Sequence, residues 1–319
     1  MLRSPSEAVQ SKPLPVTILT GFLGAGKTTL LARLLHRPEG VRFGVLVNDF
    51  GAINIDAELI VEAGGDQVAL ANGCVCCSIR DDLIGAVLRL LERAAPPDRI
   101  IVETSGVSRP LAVADALEAP EIGGRLALDG IFCLVDADGF QNLDFADTEL
   151  ALDQALGADL VILNKCDLVD DKAILAVEAT LRGPMPALRI LRTSFADVSR
   201  DLLLGLEHDR RATGHGHHHD HADDFVAWSW RSGAPLDLML FRSAMRSIPP
   251  GLLRAKGILA FAGRPGERAV FQLVGKRKEL NLEPGPPPAE STLVAIARAG
   301  GLDPEALTAL FDGCRAYRR

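Results

Sequence analysis

The chain has 319 residues, of which 48% are hydrophobic and 24% charged, which predicts a sizeable packed core and argues against global disorder. Its formal net charge of −8 at pH 7 argues against a nucleic-acid binder, which would carry a basic face. No apolar run approaches the roughly 20 residues that span a bilayer, and the polar start at residues 1–14 lacks the apolar middle of a signal peptide. We expect a disordered tail there and a cytoplasmic protein without membrane contact.

Short apolar runs alternate with amphipathic stretches over the first two thirds of the chain. Strands are predicted at six runs, namely 15–21, 42–49, 99–106, 130–137, 159–165 and 187–194. Helices are predicted in TTLLARLLHR, which follows the first strand, and at 81–94 and 170–182. Buried strands that alternate with helices are typical of a mostly parallel sheet covered on both faces. The sequence therefore predicts an α/β domain over residues 15–206, and the phosphate-binding motif described below assigns it to the P-loop type.

The pattern changes after residue 206. Residues 207–224, EHDRRATGHGHHHDHADD, are polar and rich in His, which predicts a flexible linker. Four strands are predicted beyond it in FVAWSWR, KGILAFAG, AVFQLVG and STLVAIAR, with helices at 235–246 and 303–311. This composition predicts a small α+β domain over residues 225–319.

The segment GFLGAGKTT follows the first predicted strand, precedes a helix and matches G-x-x-x-x-G-K-[ST]. Glycines let backbone N–H groups approach phosphates, Lys27 would reach the β- and γ-phosphates, and the Thr28 hydroxyl would bind Mg²⁺. The predicted phosphate-binding residues are Gly21, Gly24, Ala25, Gly26, Lys27, Thr28 and Thr29.

The segment NKCD, with Asn164, Lys165 and Asp167, comes directly after another predicted strand. The Asp167 carboxylate can accept both the ring N–H and the exocyclic amino group of guanine, and adenine lacks this pair of donors. The sequence therefore predicts GTP as the nucleotide, with a helix-capping aspartate as the alternative interpretation. Thr193 and Ser194, after the next strand, are weaker candidates for closing the base pocket.

The run RIIVETSG ends a predicted strand with Glu103, and Gly106 follows shortly after. A carboxylate beside the P-loop strand can bind Mg²⁺ through its water shell or orient the attacking water. The backbone N–H of Gly106 can contact the γ-phosphate. The candidate catalytic residues are Lys27, Thr28 and Glu103.

Asp49 and Asp56 flank a loop, NDFGAINID, that resembles a nucleotide switch. Such loops are ordered by the γ-phosphate and Mg²⁺ and relax after hydrolysis. Asp56 is a candidate Mg²⁺ ligand or switch residue, and a solvated loop acid is the alternative.

Three of the six cysteines crowd into NGCVCCS at Cys74, Cys76 and Cys77. Thiolates suit Zn²⁺ and disfavour Mg²⁺, and this spacing fits an irregular turn before a helix that starts near Ser78. A fourth ligand would come from Asp49, water or a partner. A group of redox-reactive thiols is the alternative interpretation.

Five segments in this order, GFLGAGKTTLL, NDFG, NGCVCCS, ETSG and NKCD, resemble the CobW-type GTPases of the CobW/HypB/UreG group of metal-insertion P-loop proteins. The segments KGILAF, FQLVGKR and STLVAIAR, with a closing helix, are similar to the small C-terminal domain of that family. The resemblance covers nearly the whole chain beyond residue 14. One departure is Asp49, where many members carry Glu, and the shorter carboxylate changes the reach of any metal ligand at that position.

The resemblance implies a GTP-dependent metallochaperone whose cysteine site is coupled to its nucleotide site. GTP, Mg²⁺ and Zn²⁺ are the expected cofactors, with Co²⁺ as the alternative metal. The expected partner is a client metalloprotein docked on the small domain, and self-association is a further expectation. Two rival functions are a cobalt-handling protein for cobalamin synthesis or nitrile hydratase activation, and a metal buffer with a vestigial GTPase.

Five of the seven histidines form a run within the predicted linker, at His215, His217, His218, His219 and His221. Neutral imidazoles bind Zn²⁺, Co²⁺ and Ni²⁺, and members of the family that the chain resembles often carry such a run. We predict that these side chains collect metal for the cysteines. A solvated linker without a role is the alternative.

Overall fold

Two β-sheets, one parallel and one antiparallel, organise the protein. The computed structural model describes residues 13–36, 40–47, 66–69, 78–205, 225–298 and 300–316. The elements of the first sheet fall within 14–204 and those of the second within 225–312. This order follows the predicted α/β unit and small α+β unit. The exact domain boundaries stay predictions, because residues 206–224 lie outside the described residues.

The first sheet has seven parallel strands in the order β3-β2-β4-β1-β5-β6-β7. The strands are Leu14–Gly21 (β1), Phe43–Val47 (β2), Asp66–Ala69 (β3), Arg99–Glu103 (β4), Leu126–Asp136 (β5), Leu160–Asn164 (β6) and Ile190–Arg192 (β7). Apolar runs predict six of them, whereas the short DQVA of β3 offers only two apolar residues. Because β1 lies between β4 and β5, the carboxyl ends of these strands are neighbours.

Helices cover both faces of the parallel sheet, which confirms the predicted fold class. They are Lys27–His36 (α1), Ser78–Leu91 (α2), Pro110–Leu117 (α3), Phe145–Gly157 (α4), Asp171–Arg182 (α5) and Arg200–Leu204 (α6). One buried cluster packs α2 to α5 against one face, and another packs α1 and α6 against the opposite face. Asp144 and Asp170 cap α4 and α5 by accepting backbone N–H groups.

The second sheet is antiparallel, with strand order β11-β10-β9-β12-β8. Its elements are Phe225–Ser232 (β8), Leu238–Ala244 (α7), Leu252–Leu259 (β9), Glu267–Val274 (β10), Arg277–Pro284 (β11), Ser291–Arg298 (β12) and Pro304–Asp312 (α8). An aromatic core that includes Trp228, Phe241 and Phe311 packs both helices against the sheet. Periodicity does not predict β11, because RKELNLEP is mostly polar and forms an edge strand. In the part of the chain described here, no helix is both long and apolar enough to cross a bilayer.

A buried ion cluster joins the two sheets. The Asp129 carboxylate in β5 lies 2.9 Å from Arg99 Nη1 in β4, 2.7 Å from Arg254 Nη2 in β9 and 2.9 Å from Lys256 Nζ in β9. The side chain of Asp129 is 3% exposed, and each of its three partners is less than one fifth exposed. We call these four residues the Asp129 cluster. It fixes the second sheet on the face of the first sheet that also carries α1 and α6.

A bulge in β5 sets the position of Asp129. Residues Val16 and Thr17 of β1 pair with Leu128 and Gly130, so Asp129 has no partner in β1. A bulge of this kind redirects the side chain of the extra residue. Burial raises the pKa of the Asp129 carboxyl, but the neighbouring cations outweigh burial and lower the pKa to about 2.

Candidate nucleotide site

The P-loop, residues 21–29, runs from the end of β1 into α1. Within it, Lys27 Nζ donates to the carbonyl oxygens of Gly21 at 2.8 Å and of Phe22 at 3.1 Å. The ammonium group is therefore enclosed by the backbone of the loop. The first turn of α1 adds backbone N–H groups that favour an anion at this end of the helix. Ala25 is buried, whereas Gly24 and Thr29 are exposed.

Two glycines of the P-loop are required by its geometry. Gly26 has φ 103°, and a Cβ atom there would approach Asn164 Nδ2 to 2.5 Å. Gly21 has φ 134°, and a Cβ atom there would collide with the carbonyl oxygen of Leu134. Because L side chains rarely adopt such φ values, a side chain at either position would displace the loop.

The predicted magnesium side of the site brings Thr28 and Glu103 together. Thr28 Oγ1 donates to Glu103 Oε1 at 2.8 Å, although the two residues are 75 positions apart. This contact follows from the sheet, since Glu103 pairs with Leu19 of the P-loop strand. A hydroxyl and a carboxylate oxygen are the ligand types that Mg²⁺ prefers, so the residues present fit this ion.

Asn164, the first residue of NKCD, connects the P-loop to the next loop along the sheet edge. Its Nδ2 donates to the carbonyl oxygen of Ala25 at 2.9 Å, and its Oδ1 accepts the backbone N–H of Ala196 at 2.7 Å. One buried amide thus fixes the distance between the phosphate loop and the loop after β7.

Two base loops, residues 165–168 after β6 and 193–197 after β7, carry the remaining predicted base contacts. Lys165 Nζ donates to Asp136 Oδ2 at 2.7 Å, and Asp167 is exposed in a short 3₁₀ turn. The backbone N–H of Cys166 donates to the carbonyl oxygen of Thr193 at 3.1 Å, which joins the two loops. Sequence reasoning does not single out Asp136, although it ends β5 just as its pairing partner Asn164 ends β6.

Backbone strain in the described part of the chain is concentrated in these loops. The non-glycine residues with positive φ there are Lys165 at 60°, Phe195 at 56° and Ala196 at 53°. Such conformations cost about 1–3 kcal/mol each and cluster at functional sites. Their location at the carboxyl ends of β6 and β7 supports a ligand site at this edge.

The segment after Glu103 is held from behind by Gln154 of α4. The Gln154 Nε2 atom donates to the carbonyl oxygens of Gly106 at 2.9 Å and of Ser108 at 3.0 Å, and the side chain is fully buried. This positioning residue is missed by sequence reasoning, because a glutamine in an amphipathic helix gives no signal. It fixes the backbone that is predicted to face the γ-phosphate.

Several predicted residues lie outside the described residues. They are the switch acids Asp49 and Asp56, the cysteines Cys74, Cys76 and Cys77, and the histidines His215, His217, His218, His219 and His221. Helix α2 begins at Ser78, as predicted, directly after the cysteine segment. Among the described residues no group of three or more His, Cys, Asp or Glu could hold a metal ion.

Asp167→Asn should convert the base preference. The exchange removes the carboxylate that accepts two guanine N–H groups, and the new amide can donate to the 2-carbonyl of xanthine. We expect the Kd for GDP to rise about 100-fold or more and the Kd for xanthosine diphosphate to fall, both measured by calorimetry. Asp171→Asn, an exposed change of the same type in α5, is the control. Unchanged GDP affinity in the Asp167 variant would contradict the assignment.

Comparison with known proteins gives matches over nearly the whole described chain. Residues 15–191 match the family model of the CobW/HypB/UreG nucleotide-binding domain, and residues 225–315 match the cobalamin synthesis protein cobW C-terminal domain. The zinc chaperone CobW of Pseudomonas aeruginosa is 35% identical over 305 residues, covering 83% of this chain and 81% of that protein. The zinc chaperone YjiA of Escherichia coli is 30% identical over 322 residues, covering 95% of this chain and 99% of that protein. A crystal structure of Zn(II)-bound YjiA GTPase from E. coli is 25% identical with a TM-score of 0.48, covering 96% of this chain and all of that one.

Proposed function

Because the chain belongs to the CobW/HypB/UreG family, we propose that it is a GTP-hydrolysing metallochaperone that carries Zn²⁺ at Cys74, Cys76 and Cys77. The proposed binding of GTP rests on one observation above all. The Asn164 amide is hydrogen-bonded at both of its atoms, and it joins the P-loop to the second base loop. The zinc half is supported by relatives that are named zinc chaperones. It is also supported by the cysteine segment directly before α2.

The described residues divide the work of hydrolysis among them. Lys27 contacts the β- and γ-phosphates, and the Gly106 backbone faces the γ-phosphate while Gln154 keeps that backbone in place. Thr28 and Glu103 would hold Mg²⁺, which when bound supplies positive charge against the phosphate oxygens. Glu103 is within hydrogen-bonding distance of Thr28 and so lies on the magnesium side of the site, and orienting the attacking water is the alternative role for its carboxylate.

The sheet order supports coupling between the nucleotide and the zinc cargo. β3 pairs with β2, and β2 pairs with β4, which ends at Glu103. All three strands are parallel, so Ala69 at the end of β3 lies at the same sheet edge, two strand spacings or about 10 Å from Glu103. The cysteine segment is the connection from that edge to α2. A nucleotide-dependent change near Glu103 therefore acts two strands away from Ala69, the last described residue before the cysteine segment.

Zinc affinity should depend on the bound nucleotide. We expect the Kd for Zn²⁺ to differ about 5- to 150-fold between GDP and a non-hydrolysable GTP analogue, with the same factor in the reverse coupling. The Cys76→Ala, Cys77→Ala double variant should lose both the tight site and the coupling. Competition titrations with a zinc-chelating dye measure this, and parallel titrations with Co²⁺ decide the cargo metal.

The control for this experiment changes the five linker histidines to alanine, which should lower the zinc stoichiometry but leave the nucleotide dependence. Equal zinc affinities in both nucleotide states would contradict the coupling. A turnover assay with and without zinc tests the rival function, and no hydrolysis under any metal condition would favour the metal buffer with a vestigial GTPase.

A client metalloprotein is proposed to dock on the second sheet and its helices. The support is apolar exposure on α7, where the Met239 side chain is 71% exposed and Leu240 is also exposed. Self-association stays a prediction.

A further inference from the structure

Phe195, in the second base loop, adopts a conformation that the packing of the chain does not explain. Its φ is 56°, and its neighbour Ala196 has φ 53°. A bulky residue in the left-handed region is strained. The Phe195 side chain is also 67% exposed, so little burial of the ring offsets this strain.

Hydrogen bonds on both sides of Phe195 hold the strained turn. The backbone N–H of Ala196 donates to Asn164 Oδ1. Within the loop, Thr193 Oγ1 donates to the carbonyl oxygen of Asp197 at 2.6 Å. The backbone N–H of Asp197 in turn donates to the carbonyl oxygen of Ser194 at 3.0 Å. Ala196 is fully buried whereas Phe195 is exposed. The turn therefore presents the phenyl ring outward from a fixed backbone.

The first base loop is fixed opposite this turn. Lys165 is also left-handed, and its ammonium is held by Asp136, which extends the aliphatic part of the side chain along the sheet edge. The Cys166–Thr193 backbone bond joins the two loops. Each base loop thus carries one apolar group: the aliphatic chain of Lys165 in the loop that contains Asp167, and the Phe195 ring in the second loop.

We infer that Phe195 determines nucleotide affinity by stacking its ring on one face of the purine base. This inference rests on the proposed guanine-nucleotide site and deepens it. Stacking uses the π-face that every purine has, whereas Asp167 reads the base edge. The two residues therefore contribute different properties: Phe195 gives affinity for any purine, and Asp167 gives the preference for guanine.

The two contributions separate experimentally. Phe195→Ala should weaken the binding of GDP and of inosine diphosphate by the same factor, about 5- to 100-fold. The ratio of the two affinities should therefore stay unchanged. Affinity for tripolyphosphate, which has no base, should stay at the value of the natural protein. Phe145→Ala, which removes another exposed phenylalanine at the start of α4, should leave all three affinities unchanged.

Phe195→Gly tests whether the ring itself is required, because glycine adopts the left-handed conformation without strain. We expect its thermal midpoint to be unchanged or raised while GDP affinity falls as in Phe195→Ala. Natural affinity for GDP in either variant overturns the inference, and so does an equal loss of tripolyphosphate affinity, which would indicate a structural role. If the natural protein binds no guanine nucleotide, the proposed function fails instead, and Asp167→Asn reports this separately.

Discussion

Lys27→Ala should abolish measurable GTP hydrolysis and raise the Kd for GDP about 100-fold or more. The ammonium group is the cation enclosed by the P-loop, with hydrogen bonds to the carbonyl oxygens of Gly21 and Phe22. Each hydrogen bond to a charged group contributes about 1.5–3 kcal/mol, and the γ-phosphate gains charge in the transition state. Phosphate release measures hydrolysis, and calorimetry measures GDP binding.

Lys172→Ala provides the matched control, because Lys172 is an exposed lysine on α5. It should leave hydrolysis and GDP binding unchanged. Thermal unfolding of the Lys27 variant separates loss of phosphate contact from loss of loop structure. If the variant binds GDP within threefold of the natural protein, Lys27 does not contact the phosphates.

Asp129→Asn should reduce the free energy of unfolding by about 3–5 kcal/mol. The substitution removes the negative charge that Arg99, Arg254 and Lys256 share. The three cations are then left close together in a poorly solvated interface, so their mutual repulsion and burial are uncompensated. The interface between the two sheets should weaken before either sheet unfolds.

Two optical probes resolve this effect. The chain has two tryptophans, Trp228 and Trp230, and both are buried in the second sheet. Tryptophan fluorescence therefore reports on the second sheet during urea unfolding, whereas circular dichroism reports on both sheets. We expect coincident transitions in the natural protein and separate ones in Asp129→Asn. The control is Asp98→Asn, whose partner Arg42 is exposed, and we expect a much smaller loss of stability from it because solvent screens an exposed ion pair.

Acid should weaken the same Asp129 cluster, because it protonates the Asp129 carboxylate. The pKa of Asp129 is about 2 in the folded protein and about 3.9 in an unfolded chain. A lowered pKa means that this stabilisation is complete above about pH 5 and is lost progressively as the pH falls through 4 and then through the folded pKa of about 2. The loss amounts to about 2.5 kcal/mol. The difference in thermal midpoint between natural protein and Asp129→Asn should therefore shrink between pH 4 and pH 2. A constant difference would contradict the pKa assignment.

Local sequence patterns predict much of the fold and of the nucleotide site, because the relevant signals are short. Apolar runs mark six of the seven parallel strands, and the glycines of the P-loop belong to one short motif, G-x-x-x-x-G-K-[ST]. Polar strand β11 gives no such signal.

Gln154 and Asp129 give no local signal, because their roles depend on partners that are distant in the chain. Gln154 acts on a backbone 46 and 48 residues away. Asp129 meets Lys256 from 127 residues away. Thr28 and Glu103, each predicted separately on the Mg²⁺ side, lie within hydrogen-bonding distance although they are 75 residues apart, because the order of strands in a P-loop fold brings those positions together.

The bulge at Asp129 also has a consequence for the order of assembly during synthesis. When the first two thirds of the chain have emerged from the ribosome, Asp129 and Arg99 can pair, but Arg254 and Lys256 have not yet been made. The nascent first sheet therefore exposes a hydrated carboxylate at the position where the second sheet will dock. That carboxylate is dehydrated only when β9 arrives with its two cations. Because both of these cations lie on β9, the buried charge of this one inserted residue is compensated in full only when that strand is in place.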